Sequence, residues 1–354
     1  MKKTILLIYS NYSTFVAADH KLLKEKYHVL TYEFKSKKNL LFMFFELLKQ
    51  LVFIIKHVRK IDVIFSWFSD FHSLIPFLIG KVFNKKNIVV VGGFDAVSIP
   101  ELNYGLFHKK NLRYFFGKWS YMLSEIILPV DESLIESMNY YANTNGIKVG
   151  VKSYIPNVKA KFKSIPTGYY PDNWISENSD RSKSVMAFGF AANEQKFVGK
   201  GYDFLIEVAA KMPDVNFYLF SIQGKMKTYA HSIAPVNVHI GEDLTQEQLK
   251  AELTKHKVYA LLSMSEGMPS SLCEAMLSGC VPVGSNVGGI KNVIGDCGFL
   301  LKNKNVDEAV ILINEALEVS NDFAAKGREL IRSKFHMNKR QQELYSILEF
   351  KDYE

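Results

Sequence analysis

Residues 263–290 read SMSEGMPSSLCEAMLSGCVPVGSNVGGI. An apolar run, Val258 to Leu262, precedes them and reads as a buried strand. Pro269 followed by Ser270 and Ser271 reads as a helix start, with proline preset for the first turn and serine as capping residue. Leu272, Ala275 and Met276 carry the helix to a stop at Gly279. Strand, Gly/Pro turn and helix N-terminus in this order turn free backbone N–H groups and a positive dipole end toward a ligand, which suits a phosphate. Glu266 belongs to the turn and Glu274 sits about one helical turn in, facing the same mouth. A carboxylate accepts two hydroxyl hydrogen bonds, so this pair beside an anion site suits a diphosphate flanked by two sugars.

The run resembles the E-x7-E signature of the family-4 retaining glycosyltransferases. It shares with that signature both glutamates, Gly267-x-Pro269, Glu274-Ala275-Met276, the strand entry Ser278-Gly279-Cys280-Val281-Pro282-Val283 and the turn Val287-Gly288-Gly289-Ile290. The resemblance implies an α/β chain with the GT-B fold, two Rossmann-like doubly wound parallel-sheet domains facing a central cleft. It also implies an enzyme that is hexosyltransferase-like, retaining and metal-independent.

Composition agrees with two soluble domains. The chain has 354 residues, 48% of them hydrophobic and 23% charged. Its three cysteines form no C-x-x-C pair and point to a reducing compartment. The opening MKKTILLIYSNYS has too short an apolar run for a signal peptide and reads as a first strand. Charge is unevenly shared: residues 1–163 hold 24 Lys and Arg against 12 Asp and Glu, whereas residues 164–354 hold 20 against 24. A basic front half fits an anionic membrane surface or a lipid-linked acceptor, and no nucleic-acid-binding fingerprint accompanies it. The expected location is cytoplasmic, with peripheral attachment at the inner face of the plasma membrane.

The expected domains are residues 1–163, which meet the acceptor, residues 164–335, which hold the nucleotide-sugar, and a C-terminal helix in 336–354 that crosses back to the first domain. In the first domain the strands are Lys3–Ser10, Tyr27–Phe34, Asp62–Trp67, Ile88–Val91 and Ile126–Val130. Asp131-Glu132-Ser133 after the last of these reads as the cap of a helix. The loop Asn11–Thr14 lacks the glycines usual in the family's acceptor loop. Leu40–Lys60 is the most apolar segment; Glu46, Lys49 and Gln50 interrupt it and argue against a bilayer span. It reads either as a core-facing helix or as an amphipathic helix lying on a membrane through Lys56, His57, Arg59 and Lys60. Phe107–Leu123, rich in aromatics and bases, is a second such patch or a solvated helix face. Residues 152–183, with Pro156, Pro166 and Pro171, read as the interdomain linker.

The resemblance also assigns residues. Gly92-Gly93-Phe94-Asp95 resembles a bacterial subgroup, which makes Asp95 a sugar or acceptor contact; the plain alternative is a helix N-cap. Lys200-Gly201 resembles the family's Lys-Gly-x-Asp motif, whose lysine meets the donor diphosphate. The arginine that relatives place after the strand glycine, here Gly189, is replaced by Phe190, and Lys196 is the nearest substitute. Gly267, Met268, Ser270, Ser271 and Leu272 would contribute backbone around the diphosphate. Glu266 would hold the donor sugar and Glu274 the ribose, while Gln223 and Gly241 would border the nucleotide. No metal motif (D-x-D or H-E-x-x-H) is present, and no cofactor is expected beyond the substrate nucleotide-sugar, taken as a UDP-sugar. The expected partners are that donor and a glycan or lipid-linked acceptor, with cell-surface polysaccharide synthesis as the setting. Two alternatives stay open: a non-catalytic sugar- or nucleotide-binding protein of the same fold, and another GT-B enzyme such as a nucleotide-sugar epimerase.

Overall fold

The computed structural model describes residues 2–37, 39–174 and 181–349. Two six-stranded parallel sheets organise the chain. The first holds β1 (Thr4–Tyr9), β2 (His28–Glu33), β3 (Val63–Trp67), β4 (Lys86–Val91), β5 (Ile126–Pro129) and β6 (Lys161–Phe162), in the spatial order β2-β1-β3-β4-β5-β6. Its central strands are covered on both faces, which is why they read as continuous apolar runs; Leu6, Ile64 and Val89 are fully buried.

Right-handed crossovers place the helices. The step from β1 to β2 runs one way along the sheet and puts α1 (Thr14–Lys26) on one face. The reversed steps that follow put α2 (Leu40–His57), α3 (Phe71–Val82) and α4 (Leu112–Leu123) side by side on the other. Asp70 starts α3 through a capping box with Ser73. Among the described residues no helix is long and apolar enough to cross a membrane.

The second sheet holds β7 (Ser182–Ala191), β8 (Asn216–Ile222), β9 (Val238–Ile240), β10 (His256–Leu261), β11 (Val281–Ser285) and β12 (Phe299–Leu301), in the order β9-β8-β7-β10-β11-β12. The order reverses at β7 and β10, and the crevice outside the carboxyl ends of these strands is where such a sheet takes a ligand. The helices that frame this crevice are α5 (Glu194–Gly199), α6 (Tyr202–Ala210), α7 (Ser270–Leu277) and α8 (Gly288–Ile294). The last helix, α9 (Met337–Glu349), returns to the first domain and packs beside α1. There Arg340 forms a buried bidentate pair with Asp19, both bonds 2.6 Å long.

Three local expectations are corrected. Asp131 does not cap an α-helix: its carboxylate takes the Ser133 N–H for a single 3-10 turn, Glu132–Leu134. The chain then forms an antiparallel hairpin, Ser137–Asn139 with Ile147–Val149, turned by Asn143 and Asn145, with Gly146 at positive φ. The irregular linker starts later than residue 152, because β6 pairs with β5 and completes the first sheet. Finally, α9 begins at Met337 rather than Lys339. Residues 175–180 of the expected linker and 350–354 of the tail lie outside the described residues.

Candidate active site

The turn after β10 and the start of α7 meet the first domain at a seam of glycines. A Cβ on Gly267 would lie 2.0 Å from the Gly92 carbonyl oxygen, and one on Gly289 would lie 1.9 Å from the Gly267 carbonyl oxygen. Only residues without side chains allow backbones this close. Polar contacts flank the seam. The Asn139 amide donates to the Met264 carbonyl, 2.8 Å, and the Asn292 amide to Asp131, 2.8 Å. The Gln195 amide donates to the carbonyls of Leu102 and Asn103 at 2.7 and 2.8 Å. Met268 touches the apolar cores of both domains.

A trench runs along this junction. One chamber, about 310 Å³, lies between Ile99, Tyr104, Phe190, Lys196, Lys200 and Glu266. A second, about 430 Å³, continues from Lys200 and Glu266 past Gly189, Met268, Ser270 and Ser271 to Glu274. Lys200 and Glu266 therefore stand at the point the two chambers share. Their ion pair is 2.5 Å long and half-buried. Lys200 ends α5, and Gly201 follows at positive φ against the Leu262 carbonyl, a site with no room for a Cβ. That turn aims Lys200 at the carboxyl end of β10.

The start of α7 differs slightly from expectation. Ser270 and Ser271 are the first two helical residues, after Pro269, and neither acts as the cap. At these positions the backbone N–H groups have no partner within the helix and face the second chamber. Leu272 does not join them, since its N–H donates to the Pro269 carbonyl and its side chain is fully buried. The Ser270–Ser271 end of α7 is thus the part of this helix that borders the chamber.

Glu274 reaches the same chamber and forms no ion pair among the described residues. Burial pushes its carboxyl up to about 7. A ligand diol donating to the ionised form would bind best above that pH, so nucleotide affinity is expected to weaken as pH falls below 7, as titration calorimetry at pH 6 and 8 would measure. Stability without ligand moves oppositely. The raised folded value means that the contribution of Glu274 is fully present below the ordinary carboxylate range and is lost as pH rises through 7. Thus Glu274→Gln is expected to raise the melting temperature relative to wild type more at pH 8 than at pH 5. An equal difference at both values would contradict the assignment.

The remaining expected residues are placed as follows. Lys196 lines the first chamber, its Nζ 4.3 Å from the centroid of the Phe190 ring, so the lysine and the aromatic that stands for the family's arginine share one wall. Gly189 lines the second chamber. Gln223 starts a helix after β8 and bonds Asp243; Gly241 follows β9 against the Phe220 ring. Neither lines the two chambers, which end at Leu244 and Gln246 on that side.

Asp95 is a correction. It was expected to touch sugar or acceptor, but it is buried with its carboxylate turned inward. Oδ1 accepts from the N–H groups of Gly92 and Gly93, and Oδ2 from Ser69 N–H and the Tyr121 hydroxyl, each at 3.0–3.1 Å. Burial raises its carboxyl to about 6 against those donors. Asp95 thus sets the glycine turn that abuts Gly267 and touches nothing in the trench. Tyr104 faces the trench in its stead. Burial and the nearby Glu266 and Asp95 carboxylates push its phenol well above the ordinary value, so it remains a donor. Nothing in its local sequence marks it, because its position depends on a β-bridge between Ile99 and Tyr104.

Comparisons with known proteins bear on the fold and on the second domain. Residues 195–331 match the family described as glycosyl transferases group 1. A 90-residue segment is 36% identical to trehalose synthase of Pyrococcus horikoshii; it makes up 25% of this chain and 22% of that protein, so less than a quarter of the curated relative is spanned. Sucrose-phosphate synthase from Thermosynechococcus elongatus superposes with a TM-score of 0.76 at 13% identity, over 98% of both chains. HepE of Anabaena, solved in complex with UDP and glucose, superposes with a TM-score of 0.70 at 15% identity, over 98% of this chain and 99% of that one. The chain has the GT-B fold, and its second domain carries the glycosyl transferases group 1 match.

Proposed function

We propose that this protein is a retaining glycosyltransferase that moves a hexose from a nucleotide-diphosphate sugar, with UDP as the nucleotide, to a glycan or lipid-linked acceptor during cell-surface polysaccharide synthesis. The observation that carries the reading is the order of groups along one trench: Glu274, the Ser270–Ser271 helix end, then the Lys200–Glu266 pair. Ribose, diphosphate and sugar need this order of acceptor, donor and mixed groups. HepE, of the same fold, binds UDP and glucose.

In this reading the diphosphate competes with Glu266 for Lys200, and Glu266 is freed to accept from sugar hydroxyls. As the bond between the anomeric carbon and the diphosphate breaks, charge grows on the phosphate oxygens. Lys200, Lys196 and the two N–H groups of α7 meet that charge, in a place already arranged for it. The acceptor oxygen attacks from the same face, and its proton passes to the departing phosphate. The transfer is metal-independent here because lysines and a helix end face the leaving charge.

The test is a thermal-shift panel of UDP, GDP, ADP and CMP on wild type and Glu274→Ala. UDP at about a hundred times its dissociation constant is expected to add roughly 2.7 kcal/mol, and the gain should vanish in the variant. Absence of a shift with all four nucleotides would favour a non-catalytic protein of this fold.

A further inference from the structure

Helix α2 is apolar on two sides: Met43 and Ile54 enter the core of the first domain, and a second apolar row faces outward. Its buried side includes Glu46 and Gln50, each held by a hydrogen bond within the domain, while Gln50 Oε1 is buried without a partner among the described residues. The Tyr32 hydroxyl donates to Glu46 Oε1 at 3.1 Å, and Gln50 Nε2 donates to the His72 carbonyl at 2.9 Å. Its outward side carries Leu41, Phe44, Phe45, Leu48, Val52 and Ile55, with Leu41 71% and Phe45 63% exposed. A helix whose outer side faces water is polar on that side. The neighbouring helices extend the surface: Val82 at the end of α3 is 80% exposed and Trp119 on α4 52%. Of the 21 large apolar side chains exposed among the described residues, 12 lie on α2, α3 and α4 or cap them. Concentration of this kind marks a contact surface.

Charge decides the occupant. Residues 35–118 hold 14 Lys and Arg against five Asp and Glu. Of those five, Glu46 and Asp95 are buried and Asp70 is clamped by Arg113. Lys49, Lys56, Arg59 and Lys60 are exposed beside the apolar residues of α2. Two copies of such a face would repel each other. An anionic bilayer satisfies both halves: aromatic rings enter the interface while lysine stems reach along them to the headgroups. We infer that the α2–α4 face docks the protein on an anionic lipid surface. This inference stands on that face alone and is independent of the reading of the cleft.

The experiment is sedimentation of the full chain with vesicles of phosphatidylcholine alone or with phosphatidylglycerol, at low and high salt. Wild type is expected to pellet with the anionic vesicles only, and less so at high salt. The triple variant Phe44→Ser, Phe45→Ser, Trp119→Ser should lose on the order of tenfold or more of the bound fraction, as should Lys49→Glu, Lys56→Glu, Arg59→Glu. Val236→Ser, which alters a 95% exposed residue of the second domain, should bind like wild type. Melting curves establish that each variant is folded, and the charge variant decides if the apolar one is not. Wild type remaining in the supernatant with anionic vesicles at low salt overturns the inference. So does a lipid-free dimer that the triple variant converts to monomer, because the face would then be a self-interface.

Discussion

Lys200→Ala is expected to lower donor turnover on the order of 10²–10³-fold, the cost typical of deleting one group aimed at developing charge. Lys200 is held in place: α5 ends on it, Gly201 turns the chain tightly after it, and Glu266 holds its Nζ at 2.5 Å. The fold does not need its charge, since the pair is part-exposed and such pairs contribute little to stability. The loss should therefore fall on kcat, with the melting temperature nearly unchanged. Removing Lys200 also strands Glu266, so the double variant Lys200→Ala, Glu266→Gln is needed. If the pair acts as one unit, the double variant should be little worse than the single. A kcat for Lys200→Ala within about threefold of wild type would remove the lysine from the chemistry.

Arg340→Ala is expected to cost about 3–5 kcal/mol of stability, as removal of one partner from a buried ion pair does. Arg340 and Asp19 are both buried, and the guanidinium makes four contacts. Two go to the Asp19 carboxylate, and two, at 2.8 Å, to the carbonyls of Ile165 and Pro166. Trp67 donates to the same carboxylate at 2.9 Å. One side chain thus binds α9, α1, β3 and the segment leading into the second domain. Alanine leaves an uncompensated charge and two bare carbonyls. Lysine should recover only part of the loss, because a point charge does not replace a planar fork that meets four acceptors. The midpoint of the first urea transition is the readout, and a shift worth under about 1 kcal/mol would show that the pair is not what holds α9.

The two sheets were legible because their central strands are apolar throughout and their turns carry glycine and proline. The centre of the trench was legible for a related reason. Glu266, the α7 start and Glu274 lie within one strand–turn–helix, so their proximity follows from local geometry. Lys200 was found through the short motif it shares with Gly201. What escaped depended on distant partners. The inward turn of Asp95 requires Tyr121 and Ser69, the role of Tyr104 requires a bridge to Ile99, and Asp131 spends its carboxylate on Ser133 and Asn292 rather than on a helix. For α2, composition left both orientations open. Only contacts with Tyr32 and His72 reveal that Glu46 and Gln50 point inward while its lysines stay exposed.

The glycine seam has a bearing on how product leaves. Gly92, Gly93 and Gly267 let the two domains touch main chain to main chain, but the glycines themselves bury no side chain there. Such a contact constrains shape tightly and contributes little cohesion. The adhesion comes instead from Met268 and Tyr141, packed across the junction, and from hydrogen bonds at Asn139, Asn292 and Gln195, each with a net worth of about 0.5–1.5 kcal/mol. Shutting the two domains is therefore a stringent fit, and in the proposed function each release of a spent nucleotide has to free Met268 and Tyr141 along with these hydrogen bonds.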